Sequence, residues 1–233
     1  RQTDAKGKDE QARSKVAGEL QKIYTQSKTK VESILSELDG KVNSTFDTGA
    51  ADAQKAFENY VDERMKAYKD ERYSGVIGKG RWLKDKFLGL PDEVNVFYEK
   101  GRQIYLDKMN VVLDEIVTII GTELTKAKTE VAKGRQQVQD YVAKLPEDLK
   151  QVGQEAATNI QSQFDQLEET VDSKQEELID SLAQKYNEKL QAVDAKIDEM
   201  KAANQGLVDK AANAITGVIN TIKKLKDMLL NVL

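Results

Sequence analysis

Apolar residues recur every eleven positions along this chain, and that spacing constrains its fold more than any other feature. Val94, Tyr105, Ile116, Ala127, Val138, Leu149, Ile160, Val171, Leu182 and Val193 are separated by equal steps. A second series, Tyr98, Met109, Ile120, Val131 and Val142, resumes at Phe164 and again at Tyr186, Ile197, Val208, Ile219 and Leu230. A third, Tyr24, Leu35, Phe46, Phe57 and Tyr68, keeps the same step near the start. Eleven residues complete three helical turns at about 3.67 residues per turn, so each series forms a nearly straight stripe on a helix. A half-buried strand would alternate with period two, and no segment does so. The pattern therefore predicts an all-α chain of long helices, each with one apolar stripe.

Composition removes whole classes of chemistry. The 233 residues contain no cysteine and no histidine. Thiol catalysis, disulfides and cysteine–zinc sites are excluded, as are histidine general bases and histidine metal ligands. Carboxylates and lysines alone sustain some enzymes. Here, however, pairs such as Glu168-Glu169 and Glu176-Glu177 are neighbours in sequence and diverge around a helix. The expectation is a chain that is not an enzyme and carries no cofactor or metal. A net charge of −4 gives no general affinity for polyanions, so no nucleic acid partner is expected. No apolar run is long enough to span a bilayer. The chain begins at Arg1 without an apolar leader and ends on an apolar phrase, which reads as a piece of a longer protein.

Arg1 to Ala12 are polar and lack the stripe, so a frayed start and a first helix over about 14–72 are expected. Gly40 and Gly49 weaken that helix by about 1 kcal/mol each relative to alanine, which marks 40–50 as a place for a kink. Residues 73–91 break the pattern, with Gly75, Gly78, Gly80 and Gly89 marking a connection. Within it, Arg81 to Leu88 suit two helical turns, with Trp82, Leu83 and Phe87 or Leu88 on one side. Lys79, Arg81, Lys84 and Lys86 make this stretch basic. One reading is a short cap whose aromatics cover exposed core. The other is an interfacial anchor in which Trp82, Phe87, Lys84 and Lys86 meet a membrane surface or a partner.

Leu90-Pro91-Asp92-Glu93-Val94 opens a second helix over about 92–145, with proline and acidic residues suited to a helix start. The phrase returns as Leu145-Pro146-Glu147-Asp148-Leu149. Pro146 either starts a third helix, because the residue before proline is discouraged from helical geometry, or kinks a continuous one. A break is the favoured reading. It yields helices over 14–72, 92–145 and 147–203, each about 80–90 Å long, which can pack as an elongated antiparallel three-helix bundle.

Between Asp165 and Glu199 eleven acidic residues face four lysines, read as a solvated face. Gln175, Lys189 and Asn204 occupy positions where the stripe calls for apolar groups, a device that fixes register at some cost in stability. After Gln205-Gly206, residues 205–233 form a C-terminal amphipathic segment. Its broad apolar arc includes Ile219, Ile222, Met228 and Leu229, further candidates for membrane or partner contact.

Several phrases carry a resemblance. GLPDEVNVFYEKGRQIYLDKM, the stretch Ile116 to Leu124, EAATNIQSQFDQLEETVDSKQEELI, and KAANQGLVDKAANAITGVINTIKKLKDMLLNVL look similar to one family. They resemble a helical region of large bacterial proteins associated with extracellular contractile injection systems, the phage-tail-like particles that deliver protein cargo. The likeness covers roughly residues 80–233. Such proteins often carry a peptidase-like domain before the helical region, whose histidines this chain lacks. The resemblance implies a non-catalytic rod or spacer in a cargo or toxin-associated protein. Its expected partners are other domains of the parent protein and components of the particle. Its expected location is the bacterial cytoplasm, followed by packaging or secretion with the particle. The competing reading is a lipid-surface amphipathic protein, including a pore-forming toxin component, because eleven-residue repeats also occur in apolipoprotein-like helices.

Overall fold

The computed structural model describes residues 2–204, with backbone alone for residues 2–9 and for Val76 and Phe87. The expected C-terminal amphipathic segment, with Ile219, Ile222, Met228 and Leu229, lies outside the described residues. Four helices follow in order: α1 (Gln2–Arg72), α2 (Gly75–Leu88), α3 (Asn95–Ala143) and α4 (Glu147–Asn204), with one 3-10 turn at Asp92–Val94. Among the described residues there is no strand, so the all-α expectation holds. No described helix is long and apolar enough to cross a membrane.

Three boundaries differ from the sequence reading or decide it. α1 begins at Gln2, not near residue 14. The early stretch is rich in Ala, Lys, Gln and Glu, which propagate a helix without needing an apolar stripe. Gly40 and Gly49 interrupt neither α1 nor its stripe. A Cβ at position 49 would lie 2.3 Å from Cγ2 of Val112, so glycine is what lets α3 approach there. At Pro146 the chain turns: α3 stops at Ala143 and α4 starts at Glu147. Lys144 and Leu145 donate their amides three residues back, to Tyr141 and Val142, tightening the last turn before the proline ring.

Two compact units divide the described chain, and α1, α3 and α4 each contribute to both. The first joins the residues up to Val42 with Thr118–Leu178. Its core includes Leu20, Val31, Leu38, Leu124, Val131, Phe164 and Val171, all buried. Tyr24 meets Phe164 edge to face at 5.3 Å. Gly134 is held tightly, because a Cβ there would come within 2.3 Å of the Ser27 hydroxyl and 2.6 Å of the Phe164 ring. Around this core Lys41 and Lys126 reach Glu123 at 2.8 and 2.9 Å, and Lys30 and Lys133 reach Glu130 at 3.3 and 2.7 Å. Arg135 joins Asp165 and Glu168, Lys128 joins Asp172, and Lys174 joins Asp39.

The second unit joins Asn43–Val117 with the residues from Ile179 on. Phe46, Phe57, Tyr98, Tyr105, Met109, Ile116, Leu182 and Tyr186 fill it. Arg102 grips Asp194 with two hydrogen bonds of 2.6 and 3.1 Å, and Lys185 donates to Asn43 at 2.6 Å. The Tyr105 hydroxyl is buried without a hydrogen-bond partner, and burial pushes its pKa well above the usual phenol range.

Most rungs of the step-eleven series are buried in these cores. Val94, Tyr105, Ile116, Ala127, Val138, Ile160, Val171, Leu182 and Val193 are all buried, and Leu149 is half-buried. In the α1 series Leu35, Phe46 and Phe57 are buried, while Tyr24 and Tyr68 at its ends are half-buried. Burying an aliphatic or aromatic side chain contributes about 1.5–3 kcal/mol, so these series supply the main driving force of the fold.

Candidate interaction surface

The one stretch that departs from this packing logic is α2. Its four turns, Gly75–Leu88, are longer than the two turns expected over 81–88 and take in Gly75, Gly78 and Gly80. Gly75, at φ 70°, begins the helix in a conformation that favours glycine, and Gly89, at φ 81°, ends it. Gly78 lies against the preceding turn: a Cβ there would sit 2.1 Å from the Tyr73 carbonyl oxygen.

Among the described side chains of α2, the buried one is polar. Asp85 is 7% exposed, whereas Ile77, Trp82, Leu83 and Leu88 are 74%, 50%, 53% and 64% exposed. Those four are most of the large exposed apolar residues among the described residues; the others are Val96 and Val111. Trp82 and Leu83, which the cap reading places over core, are each about half exposed, and Gly78 and Asp85 are the buried ones among the described residues of α2. Leu83 and Leu88 are also not on one narrow side, since five residues separate them by about 140° around the helix.

A clasp explains the inversion. Arg72, in the last turn of α1, donates from Nε to Asp85 Oδ2 at 2.5 Å and from a terminal nitrogen to Oδ1 at 3.0 Å. The Tyr73 hydroxyl donates to Oδ2 at 3.1 Å. Arg72 therefore holds the Asp85 carboxyl below its ordinary range, with Tyr73 adding to the effect, although burial opposes it. The same pairing raises Arg72 further above its ordinary range. Tyr68 donates to Glu93 in the linker after α2, and burial followed by that bond pushes the phenol up to about 12. The Arg72 guanidinium lies 3.9 Å from Glu93.

The end of α4 closes the same corner. Asn204 accepts from Lys69 Nζ at 2.6 Å, donates to the Tyr98 hydroxyl at 2.9 Å and to the Met200 carbonyl at 2.8 Å. Its own carbonyl accepts from the Leu90 amide at 3.1 Å. Of the three residues singled out as register-fixing, Asn204 is thus knit into its surroundings and Gln175 is half-buried, whereas Lys189 is exposed beside the buried Leu190. Of the anchor candidates, Trp82, Lys84 and Lys86 are exposed on α2, with Lys86 Nζ 5.2 Å from the Trp82 ring centre. The Phe87 side chain lies outside the described residues.

The sequence reading did not assign the Arg72–Asp85–Tyr73 clasp or the exposure of Ile77. A lone acid among four bases in a short helix was the available signal for the former. The acidic run of α4, read as a solvated face, is largely exposed, and there Asp165, Glu168, Asp172 and Asp194 also pair with cations of α3. Among the described residues no cluster of acidic groups is arranged to hold a metal ion. Comparison with family models, with characterised proteins and with solved structures matches none of them.

Proposed function

We propose that this chain is a non-catalytic structural module, a rod or spacer, of a contractile-injection-system cargo or toxin-associated protein. Its architecture on this reading is an elongated antiparallel three-helix bundle with eleven-residue packing. The observation that supports it best is the burial of the step-eleven residues on α1, α3 and α4. Helices with such stripes need long partners of matching period, and this chain carries three. The pairings fit that arrangement. In the first unit, partners on α3 move from Glu130 to Glu123 as α1 advances from Lys30 to Lys41, the antiparallel sense. On α4 they move forward from Gln163 to Lys174 as α1 advances from Gln21 to Asp39, the parallel sense. A down-and-back path over three helices produces that combination. Asn204 and Gln175 serve as polar register marks on this reading, Asn204 through its bonds to Lys69 and Tyr98.

Small-angle scattering tests the shape. A globule of this length has a radius of gyration of about 17 Å. A bundle of helices on the order of 90 Å long gives a value well above 20 Å and a rod-like scattering profile. A compact radius removes the rod. The association with injection particles is tested separately, by whether tail-sheath and baseplate genes surround the coding gene; their absence withdraws that part.

A further inference from the structure

We propose that α2 docks this chain on an anionic lipid bilayer surface, a role beyond that of a spacer. The argument begins with orientation. The Arg72–Asp85 clasp turns the polar side of α2 inward and leaves Ile77, Leu83 and Leu88 facing out. Around the helix these three span an arc of about 140°. Lys84 lies within the arc, Lys79 and Lys86 border one side and Arg81 the other, all exposed. Long basic side chains at the margins of an apolar arc place methylenes along lipid and ammonium groups among phosphates.

Trp82 lies just past that border, about 40° beyond Lys86 on the side of Gly78, half exposed, and with Tyr73, Gly78, Lys79 and Leu83 it lines a shallow groove of about 430 Å³. An indole at such a border suits the headgroup level of a bilayer. Charge singles out the occupant. α2 carries four basic side chains, and its single acid is spent on Arg72, while the whole chain is net −4. The local cationic patch therefore opposes the character of the rest of the molecule and complements a negative surface. The segment 205–233 is the other occupant within the chain. It carries Lys210, Lys223, Lys224 and Lys226 against Asp209 and Asp227, so its charge opposes lying on these lysines.

Trp82 is the only tryptophan in the chain, so its emission reports on α2 alone. The full chain is titrated at low salt with vesicles of phosphatidylcholine containing an equal part of phosphatidylglycerol, and with phosphatidylcholine alone. The expected result is a blue shift and loss of acrylamide quenching with the anionic vesicles only, reversed by high salt. The double substitution Lys84→Glu with Lys86→Glu changes four charge units at exposed positions and weakens binding by about a hundredfold or more, with the circular dichroism spectrum unchanged. No shift with anionic vesicles overturns the proposal, as does an equal shift with phosphatidylcholine alone. A Trp82 already shielded from acrylamide in the free chain also overturns it and points to cover by another part of the polypeptide.

Discussion

Replacing Asp85 by alanine isolates what holds α2 in place. The Asp85 carboxylate accepts two hydrogen bonds from Arg72 and one from Tyr73 and is almost wholly buried, with its side chain 4% exposed. Breaking a fully buried ion pair costs about 3–5 kcal/mol, chiefly because the remaining charge is left uncompensated. Arg72 escapes part of that penalty, since its side chain is 19% exposed and Glu93 is 3.9 Å away. A loss of about 2–3 kcal/mol follows. Because the described large apolar side chains of α2 are half or more exposed, the loss falls on local opening of that helix. Amide hydrogen exchange across 76–88 therefore accelerates by about 30- to 150-fold in Asp85→Ala, while the interiors of α1 and α3 keep their protection. Arg72→Lys, which keeps the charge but not the two-pronged geometry, gives a smaller acceleration. Unchanged exchange in α2, or an equal loss of protection throughout the chain, would refute the clasp as its principal restraint. The acid dependence has a defined sign. The folded-state pKa of Asp85 lies below its ordinary 3.8, so its contribution is complete above that pH and is lost as pH falls through the folded value.

Three further outcomes are expected. Tyr105→Phe removes a buried hydroxyl that has no partner and raises stability by about 1 kcal/mol in urea unfolding; a loss of that size would mean the hydroxyl is satisfied after all. Gly134→Leu forces a side chain against Ser27 and Phe164, and overpacking of about 1–3 kcal/mol exceeds the roughly 1 kcal/mol gained in helix propensity, so the midpoint of unfolding falls. Glu123 and Glu130 are held below their ordinary value of 4.5 chiefly by hydrogen bonds from lysines, Lys41 first for Glu123 and Lys133 first for Glu130. Their contribution stays level above pH 4.5 and declines below it, an acid loss that Glu123→Gln with Glu130→Gln reduces in pH-dependent melts.

The helices were legible because the signal that specifies them is local and repeated. A stripe from Val94 to Val193 tolerates errors at any single rung, and Pro146 carries its own steric rule. What escaped was set by pairs distant in sequence or by backbone fit. Which cation Asp165 or Asp194 pairs with depends on which helix lies opposite, and no periodicity within α4 contains that. The start of α1 was misplaced because helix propensity extends beyond the stripe that was used to find it. In α2, hydropathy left open whether Trp82 and Leu83 cover core or face outward. The clasp with Arg72 and the close fit of Gly78 against Tyr73 set that helix so that both apolar residues are about half exposed. There an ion pair and a close backbone fit orient a short helix, and that element became the candidate surface.

The central claim is that the stripes of α1, α3 and α4 shelter one another within a single polypeptide. Spin labels at positions 21 and 163, where Gln21 and Gln163 touch at 3.3 Å, test it most directly, since the chain has no native cysteine to interfere. Pulsed dipolar spectroscopy should give a short, narrow distance that persists when labelled chains are diluted in excess unlabelled protein. A long distance, or a short one that disappears on dilution, would contradict the account and assign the stripes to partners in other chains.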